Sequence, residues 1–439
     1  MKRASIAALA SLAALATWVS TASAASPDGP ARTPVARSAA ATAKSSISRS
    51  SMCAALRSRL VRGGRASGLY VIDASNGSGK TVCARRGRTR RIPASNMKLF
   101  TTATALARFG PDARLATSIY SSGQIDTSGV LHGNLYLVGG GDPALSDPDF
   151  SRRFMGGLGT KIFDLTGEVE AAGINRVTGR LFADDTIFDR LRGVADSGFA
   201  TSPYIGPLSG LDFDSGYADS SARHFASDPA IAAAKSLGGN LRSAGVQVPS
   251  DVAVRTLPTT GTEKIGEISS PQMKALTNET DVNSNNYFAE MLLKDLGAHF
   301  GSGGTTAAGT VVVRKFVRGL GTGVRQVDGS GLTATNRVTP AQVARLLVAM
   351  RHTAAGDDFS NSLPVAGREG TVADRMRGTA AAGRCHTKTG TLTGVSALSG
   401  YCFNRDGKVM AFSILMNRVT DLSQAHLQQD CMAALIARY

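Results

Sequence analysis

Histidine is scarce in this chain of 439 residues, and none of its six copies falls in an H-E-x-x-H pattern. A zinc protease of that type therefore finds no support. G-x-S-x-G is missing as well, so the nucleophile elbow of the α/β-hydrolases finds none either. The five cysteines, at 53, 83, 385, 402 and 431, form no C-x-x-C pair, which leaves a zinc ribbon or a thioredoxin-like centre unindicated. Past the first two dozen residues, no stretch reaches the roughly 18 apolar residues of a membrane-spanning helix. The densest basic cluster, Arg85 to Arg91, holds five arginines but no aromatic side chain. A nucleic-acid stacking platform needs both. No internal repeat is visible.

The chain does carry an export pattern. Met1-Lys2-Arg3 is basic, an apolar run extends from Ile6 to Val19, and Ala22-Ser23-Ala24 gives an A-x-A site. Residues 1–24 read as a secretory signal peptide. Residues 25–45 are rich in Ala, Ser, Pro and Arg and read as a disordered leader. Formal net charge is +16, two units of it on Lys2 and Arg3. In an exported protein this points to anionic surfaces or wall polymers before nucleic acid. Solubility alone accounts for it equally well.

Patterning then organises the rest. A helix with Cys53, Leu56 and Leu60 on one face precedes a hairpin turning at 76–79. Another helix runs from the Ser95 region to Arg108, where Gly110-Pro111 stops it. From 111 to 225 glycine and aspartate are frequent and strands look short, so this reads as a mostly β insertion. Helical patterning returns at Asp228, near Asn283 and at Pro340–Met350. The end of the chain carries three strands. "KVMAFSILMN" is apolar on both faces, as a central strand would be. A last helix holds Leu427, Cys431 and Leu435 on one face. One α/β domain, 46–110 and 226–439, thus starts before the insertion and finishes after it.

Three short motifs carry the chemistry: Ser95-Asn96-Met97-Lys98, Ser284-Asn285-Asn286 and Lys388-Thr389-Gly390-Thr391. Alone, Ser95 is an ordinary helix N-cap and the lysine motif a strand entering a turn. Together, in this order, they describe a nucleophile and its support. A serine hydroxyl needs a base, and Lys98, three residues on, shares its helix face. A lysine base must have a lowered pKa, which Leu99, Phe100 and a second cation, Lys388, can supply. The N–H groups of Ser95 and Thr391 suit an oxyanion, helped by the helix N-terminus. Ser284 can relay a proton to a leaving amine, and Asn286 can orient the lysine. Lys388 and Thr389 offer a charge and a hydroxyl to a substrate carboxylate.

This motif set resembles that of the penicillin-recognising serine enzymes. The wide gap between Ser95 and Ser284, with "GNLYLVGGGDPAL", "GRLFADDTIFD", "NSNNYFAEMLL", "DGSGL" and "LPVAGREGT", is similar to the low-molecular-mass class C D-alanyl-D-alanine carboxypeptidases/endopeptidases. The resemblance implies a transpeptidase-like domain with a five-stranded antiparallel sheet flanked by helices, carrying a two-part insertion. It implies attack by Ser95 on D-Ala-D-Ala ends or D-Ala cross-links of peptidoglycan stem peptides, with Lys98 as base. It also implies acylation by β-lactam antibiotics and no metal or organic cofactor. Asp142 matches a family aspartate near the substrate pocket. Two positions depart: Asn285 stands where relatives usually have aspartate, and Ala334 where an arginine often binds a diamino acid end. A β-lactamase or esterase, or a non-catalytic penicillin sensor, are the rival readings.

Cys385 and Cys402 lie equally far from the turn at 392–394, so they form either a cross-strand disulfide or two reduced thiols. Cys53 and Cys431 are expected to pair if their helices pack together.

Overall fold

The computed structural model describes residues 47–64, 66–76, 79–404 and 406–439. The export signal at 1–24, the leader at 25–45 and part of the turn at 76–79 lie outside the described residues. In chain order, helix α1 (Arg49–Arg62) leads to β1 (Ala66–Asp73) and β2 (Lys80–Arg85), and a 3₁₀ turn (Ala94–Met97) opens α2 (Lys98–Phe109). Then come β3 (Ala116–Ile125), β4 (Val130–Val138), β5 (Leu145–Ser146), α3 (Pro148–Phe154), β6 (Thr160–Lys161), α4 (Asp164–Ala171), β7 (Arg176–Val177) and β8 (Leu181–Asp184). Next are α5 (Pro229–Ser243), β9 (Val252–Val254), β10 (Thr262–Ser269), α6 (Met273–Val282), α7 (Asn286–Phe300), α8 (Thr306–Gly319), α9 (Pro340–Arg351) and α10 (Gly356–Asn361). The chain closes on β11 (Cys385–Leu392), β12 (Val395–Phe403), β13 (Val409–Asn417) and α11 (Leu422–Arg438).

Local chemistry sets the helix starts. Asp228 accepts hydrogen bonds from the N–H groups of Ala230 and Ile231, with Pro229 in the first turn. Thr339 and Gln342 form a reciprocal capping box around Pro340 at the start of α9.

Five strands form an antiparallel sheet in the order β11-β12-β13-β1-β2. Its two faces are read off β1: Leu69 and Val71 join one core, Tyr70 and Ile72 the other. Met52, Leu56, Met432 and Ile436 of α1 and α11 cover the first face. Phe100 of α2 and Leu346 and Leu347 of α9 belong to the second core. β13 is therefore buried over eight of its nine positions, as its two-sided apolar pattern requires.

A second sheet, ordered β10-β3-β4-β8-β9 with β7 beside β4, draws on both sides of residue 225. Ala230, Ala233 and Leu237 of α5 share its core with Ile119, Leu135 and Leu181. The composition change at 225 thus falls inside this layer, and α5, β9 and β10 pack with it. Their Ala-rich and alternating patterns look like any other α/β segment, so pairing alone reveals their place.

Two expectations are corrected. Cys53 is bonded to Cys83, not to Cys431, which is a free, half-buried thiol. The reason is that α1 lies along the edge strand β2: Arg49 donates to the carbonyls of Thr81 and Val82, and Arg57 to that of Ala84. These contacts also cover the edge that a sheet must protect. Cys385 and Cys402 face each other in the β11–β12 register and are bonded. The last helix turns a different face inward. Leu427 is 56% exposed, while Ala425, Gln428, Gln429, Met432 and Ile436 are buried. Gln429 is satisfied there by donating to Ser396 Oγ at 3.0 Å, so an amide occupies the place an apolar template reserves for leucine.

Candidate active site

The segment carrying Ser95 is held from three sides. Ile92 exchanges two hydrogen bonds with the Asn417 side chain at the end of β13, at 2.9 and 3.0 Å. Arg91 pairs through its backbone with Val338, just before α9. Arg91 is itself buried, its guanidinium donating to Ser67 O at 2.6 Å. Ala94 has φ 47°, a left-handed conformation that costs energy for an L side chain. Two glycines make this turn possible. A Cβ on Gly390 would lie 2.9 Å from Ser95 N, and one on Gly331 would lie 1.9 Å from Ala94 O. Ser95 thus sits in a 3₁₀ turn ahead of α2 rather than at an α-helical N-cap, and it remains half-buried.

Lys98 begins α2 and is fully buried. Its Nζ donates to Ser95 Oγ at 3.2 Å, Asn286 Oδ1 at 2.7 Å and Ser330 O at 2.9 Å. Burial, and then the neighbouring Lys388 charge, lower its pKa to about 7, against the opposing pull of Glu290, Asp328 and Asp281. Two of the three partners are carbonyl oxygens, which only accept. When the amine is neutral, its two hydrogens go to them and its lone pair faces Ser95 Oγ.

The elbow between α6 and α7 brings the second motif here. Asn285 caps α7 by accepting from Phe288 N, and Asn286 follows it. Asn286 Nδ2 donates to Tyr204 O at 3.1 Å, a contact from the long segment between β8 and α5. Ser284, two residues earlier, has φ 56°. The third motif lies on β11, an edge strand of the five-stranded sheet. Asn96 Nδ2 donates to Lys388 O at 3.0 Å and ties this strand to the serine turn. Lys388 is fully buried, and burial lowers its pKa to about 8 while Asp281 opposes the shift. The Thr389 hydroxyl pairs with that of Thr371 at 2.7 Å. Gly390 packs on Ser95 N, and Thr391 is exposed beyond it.

Several supporting residues lie outside the three motifs. Glu290 is fully buried and accepts from Gly329 N at 2.9 Å and Ser330 N at 2.7 Å, which aims Ser330 O at Lys98. Burial and Asp328 raise its pKa. Asp328 in turn accepts from Gly331 N, Thr333 N and Asn336 Nδ2. Asp281, buried beside Lys388, has its pKa raised to about 6 by burial, with Lys388 opposing. One signal was available: Glu290 stands one helical turn from Asn286 in a helix that is otherwise apolar there.

The hydrogen bonds of Asp142 run within the insertion and not to the residues above. Asp142 is 3% exposed, one oxygen accepting from Ala144 N at 2.8 Å and the other from the Thr160 hydroxyl at 2.5 Å. These bonds hold the turn after β4. Among the described residues no group of three or more His, Cys, Asp or Glu side chains is arranged to hold a metal ion. Nor is any helix there long and apolar enough to cross a membrane.

The chain matches the model of the D-Ala-D-Ala carboxypeptidase 3 (S13) family over residues 54–227 and 217–439. It is 32% identical to a D-alanyl-D-alanine carboxypeptidase of Actinomadura sp. (strain R39), over 86% of this chain and 82% of that one. In fold it is similar to penicillin binding protein 4 of Haemophilus influenzae, with TM-score 0.70, 19% identity and 87% and 97% of the two chains covered. A penicillin G-acylated predatory endopeptidase of Bdellovibrio bacteriovorus shares the fold at TM-score 0.51, with 18% identity and 83% and 90% covered.

Proposed function

This chain belongs to the D-Ala-D-Ala carboxypeptidase 3 (S13) family, and from that premise we propose that Ser95 is the nucleophile of a D,D-peptidase acting on peptidoglycan stem peptides. The enzyme is a serine hydrolase. The observation that carries the assignment is the set of Lys98 contacts: one hydroxyl that can give a proton, and two carbonyls that hold the amine's own hydrogens away from it.

In this reading neutral Lys98 takes the Ser95 proton as Oγ attacks the carbonyl carbon of the penultimate D-Ala. The N–H groups of Ser95 and Thr391 hold the oxyanion; removing one such donor typically costs about 10²–10³ in rate. The peptide C–N bond breaks, and Ser284 passes a proton to the departing amine. Water then attacks the acyl-Ser95 ester and releases the shortened peptide. Lys388 and Thr389 meet the carboxylate of the terminal D-Ala. A cross-link whose scissile D-Ala bond lies beside a free carboxylate presents the same groups, so endopeptidase action uses the same site. A β-lactam ring offers a carbonyl and a carboxylate in like disposition, and its opening leaves Ser95 acylated.

The exposed Arg88 and Arg90, just before the serine turn, add a proposed contact with anionic wall polymers. Wall binding insensitive to salt would remove that contact.

Incubation with a labelled penicillin and with a D-Ala-D-Ala peptide tests the assignment. Stable labelling and D-Ala release are expected, both abolished by Ser95→Ala. Rapid turnover of the penicillin would point to a β-lactamase, and labelling without peptide hydrolysis to a sensor. Labelling retained by Ser95→Ala would overturn the nucleophile.

A further inference from the structure

We propose that Glu279 is a positioning residue, which braces the α6–α7 elbow that carries Ser284 in the conformation that presents Asn286 to Lys98; the inference rests on the catalytic reading above. Glu279 lies in the last turns of α6 and is 7% exposed. Its two carboxylate oxygens take one amide each. Asn283 Nδ2 donates to Oε2 at 2.6 Å, and Asn285 Nδ2 donates to Oε1 at 3.1 Å. These two asparagines are the immediate neighbours of Ser284. The Glu279 carbonyl also accepts from Asn283 N at 3.4 Å, at the end of α6.

The elbow needs an external brace because Ser284 has φ 56°, where an L residue does not rest by preference. Asn285 transmits the brace. Its Nδ2 is fixed on Glu279, and its Oδ1 accepts from Phe288 N at 3.2 Å, capping α7. The following residue, Asn286, is thereby set with Oδ1 at 2.7 Å from Lys98 Nζ. Glu279 thus acts on the reaction only through its neighbours.

The pairing has a chemical sense that can be reversed. Glu279 accepts and Asn285 donates. Asn285→Asp alone sets two carboxylates face to face. Adding Glu279→Gln to it restores one donor and one acceptor: the new amide nitrogen donates to position 285, and the amide oxygen still accepts from Asn283.

The experiment measures acylation of Ser95 by a labelled penicillin, and kcat and KM for D-Ala release, in the full chain. Glu279→Ala is expected to slow acylation and lower kcat by about 10²-fold, the cost typical of a reacting group displaced by about an ångström. KM should change little. Asn285→Asp is expected to lose about tenfold, and the Glu279→Gln/Asn285→Asp pair to recover most of that loss, as a coupled pair does. A residue needed only for folding would not be rescued in rate by a second substitution. If Glu279→Ala fails to fold, the Asn285→Asp single and the double variant decide alone. A double variant no faster than Asn285→Asp, or a folded Glu279→Ala with wild-type kcat, overturns the brace. Absence of Ser95 labelling in the wild-type protein overturns instead the catalytic reading on which it rests.

Discussion

Lys98 Nζ lies closer to Asn286 Oδ1, at 2.7 Å, than to Ser95 Oγ, at 3.2 Å. The amide carbonyl therefore governs where the amine's hydrogens point, and the hydroxyl receives what is left. Asn286→Asp is expected to replace that neutral acceptor by a carboxylate. A charge beside a buried amine favours its protonated form. The pH at which acylation reaches half its maximum should move upward by one unit or more, on the order of 1.4 kcal/mol per unit. Acylation by a labelled penicillin, followed from pH 5 to 10, measures the shift. An unmoved midpoint would separate Lys98 from the proton transfer.

Two lysines titrating at different pH values predict a bell. Lys98 must be neutral to act, so the rate rises as pH passes about 7. Lys388 must be charged to hold a carboxylate, so binding weakens as pH passes about 8. kcat/KM for a D-Ala-D-Ala peptide should therefore peak narrowly between these values. An ester or amide substrate lacking the terminal carboxylate should show the rising limb only. A falling limb equally present in both substrates would deny Lys388 the role of carboxylate anchor.

Ser95, Lys98 and Asn286 stand out in the sequence because each is a side chain at a fixed spacing within a short motif, and the fold joins the three by hydrogen bonds. The acceptor that completes the lysine's shell does not stand out, since Ser330 contributes a backbone oxygen that any residue would carry. Glu279, Asp281 and Glu290 fall in no motif, and their burial appears only in the folded α6 and α7. The five-stranded sheet followed from patterning and resemblance together, whereas the extent of the second layer did not, because β10 joins it by pairing with β3 more than a hundred residues away and α5 by packing on its core. The partner of Cys53 was decided by where α1 lies, over β2 and its carbonyls, which helical periodicity does not encode.

Peptide mapping without reductant is expected to find Cys53 linked to Cys83 and Cys385 to Cys402, with Cys431 alone open to alkylation. The bridges close loops with sequence separations of 30 and 17, each worth about 3 kcal/mol on chain-entropy grounds. Cys83→Ser should accordingly lower the melting temperature, while Cys431→Ser should leave it within about a degree, as expected of a partly exposed position without a partner role. A Cys53–Cys431 peptide in the digest would contradict the placement of α1.

Asp295 in α7 is fully buried, and neither of its carboxylate oxygens has a hydrogen-bond partner. Burial, and then the nearby Asp142, push its pKa well above the ordinary carboxylate range. Asp142 is raised by burial to about 6 and Asp212 to about 7. In the unfolded chain all three ionise near pH 4. Between that pH and about 7 the folded protein binds more protons than the unfolded one. The contribution of these three carboxyls to stability then falls as pH rises through this window. Lys98 and Lys388, lowered in the fold, act in the opposite sense only above about 7 and 8. Asp295→Asn removes one ionisation while keeping the shape. It should leave the melting temperature nearly unchanged at pH 4.5 and raise it at pH 7.5, where the wild-type carboxyl must take up a proton on folding and the amide need not. A variant destabilised more at pH 7.5 than at pH 4.5 would mean that Asp295 is ionised in the fold, held by a partner charge.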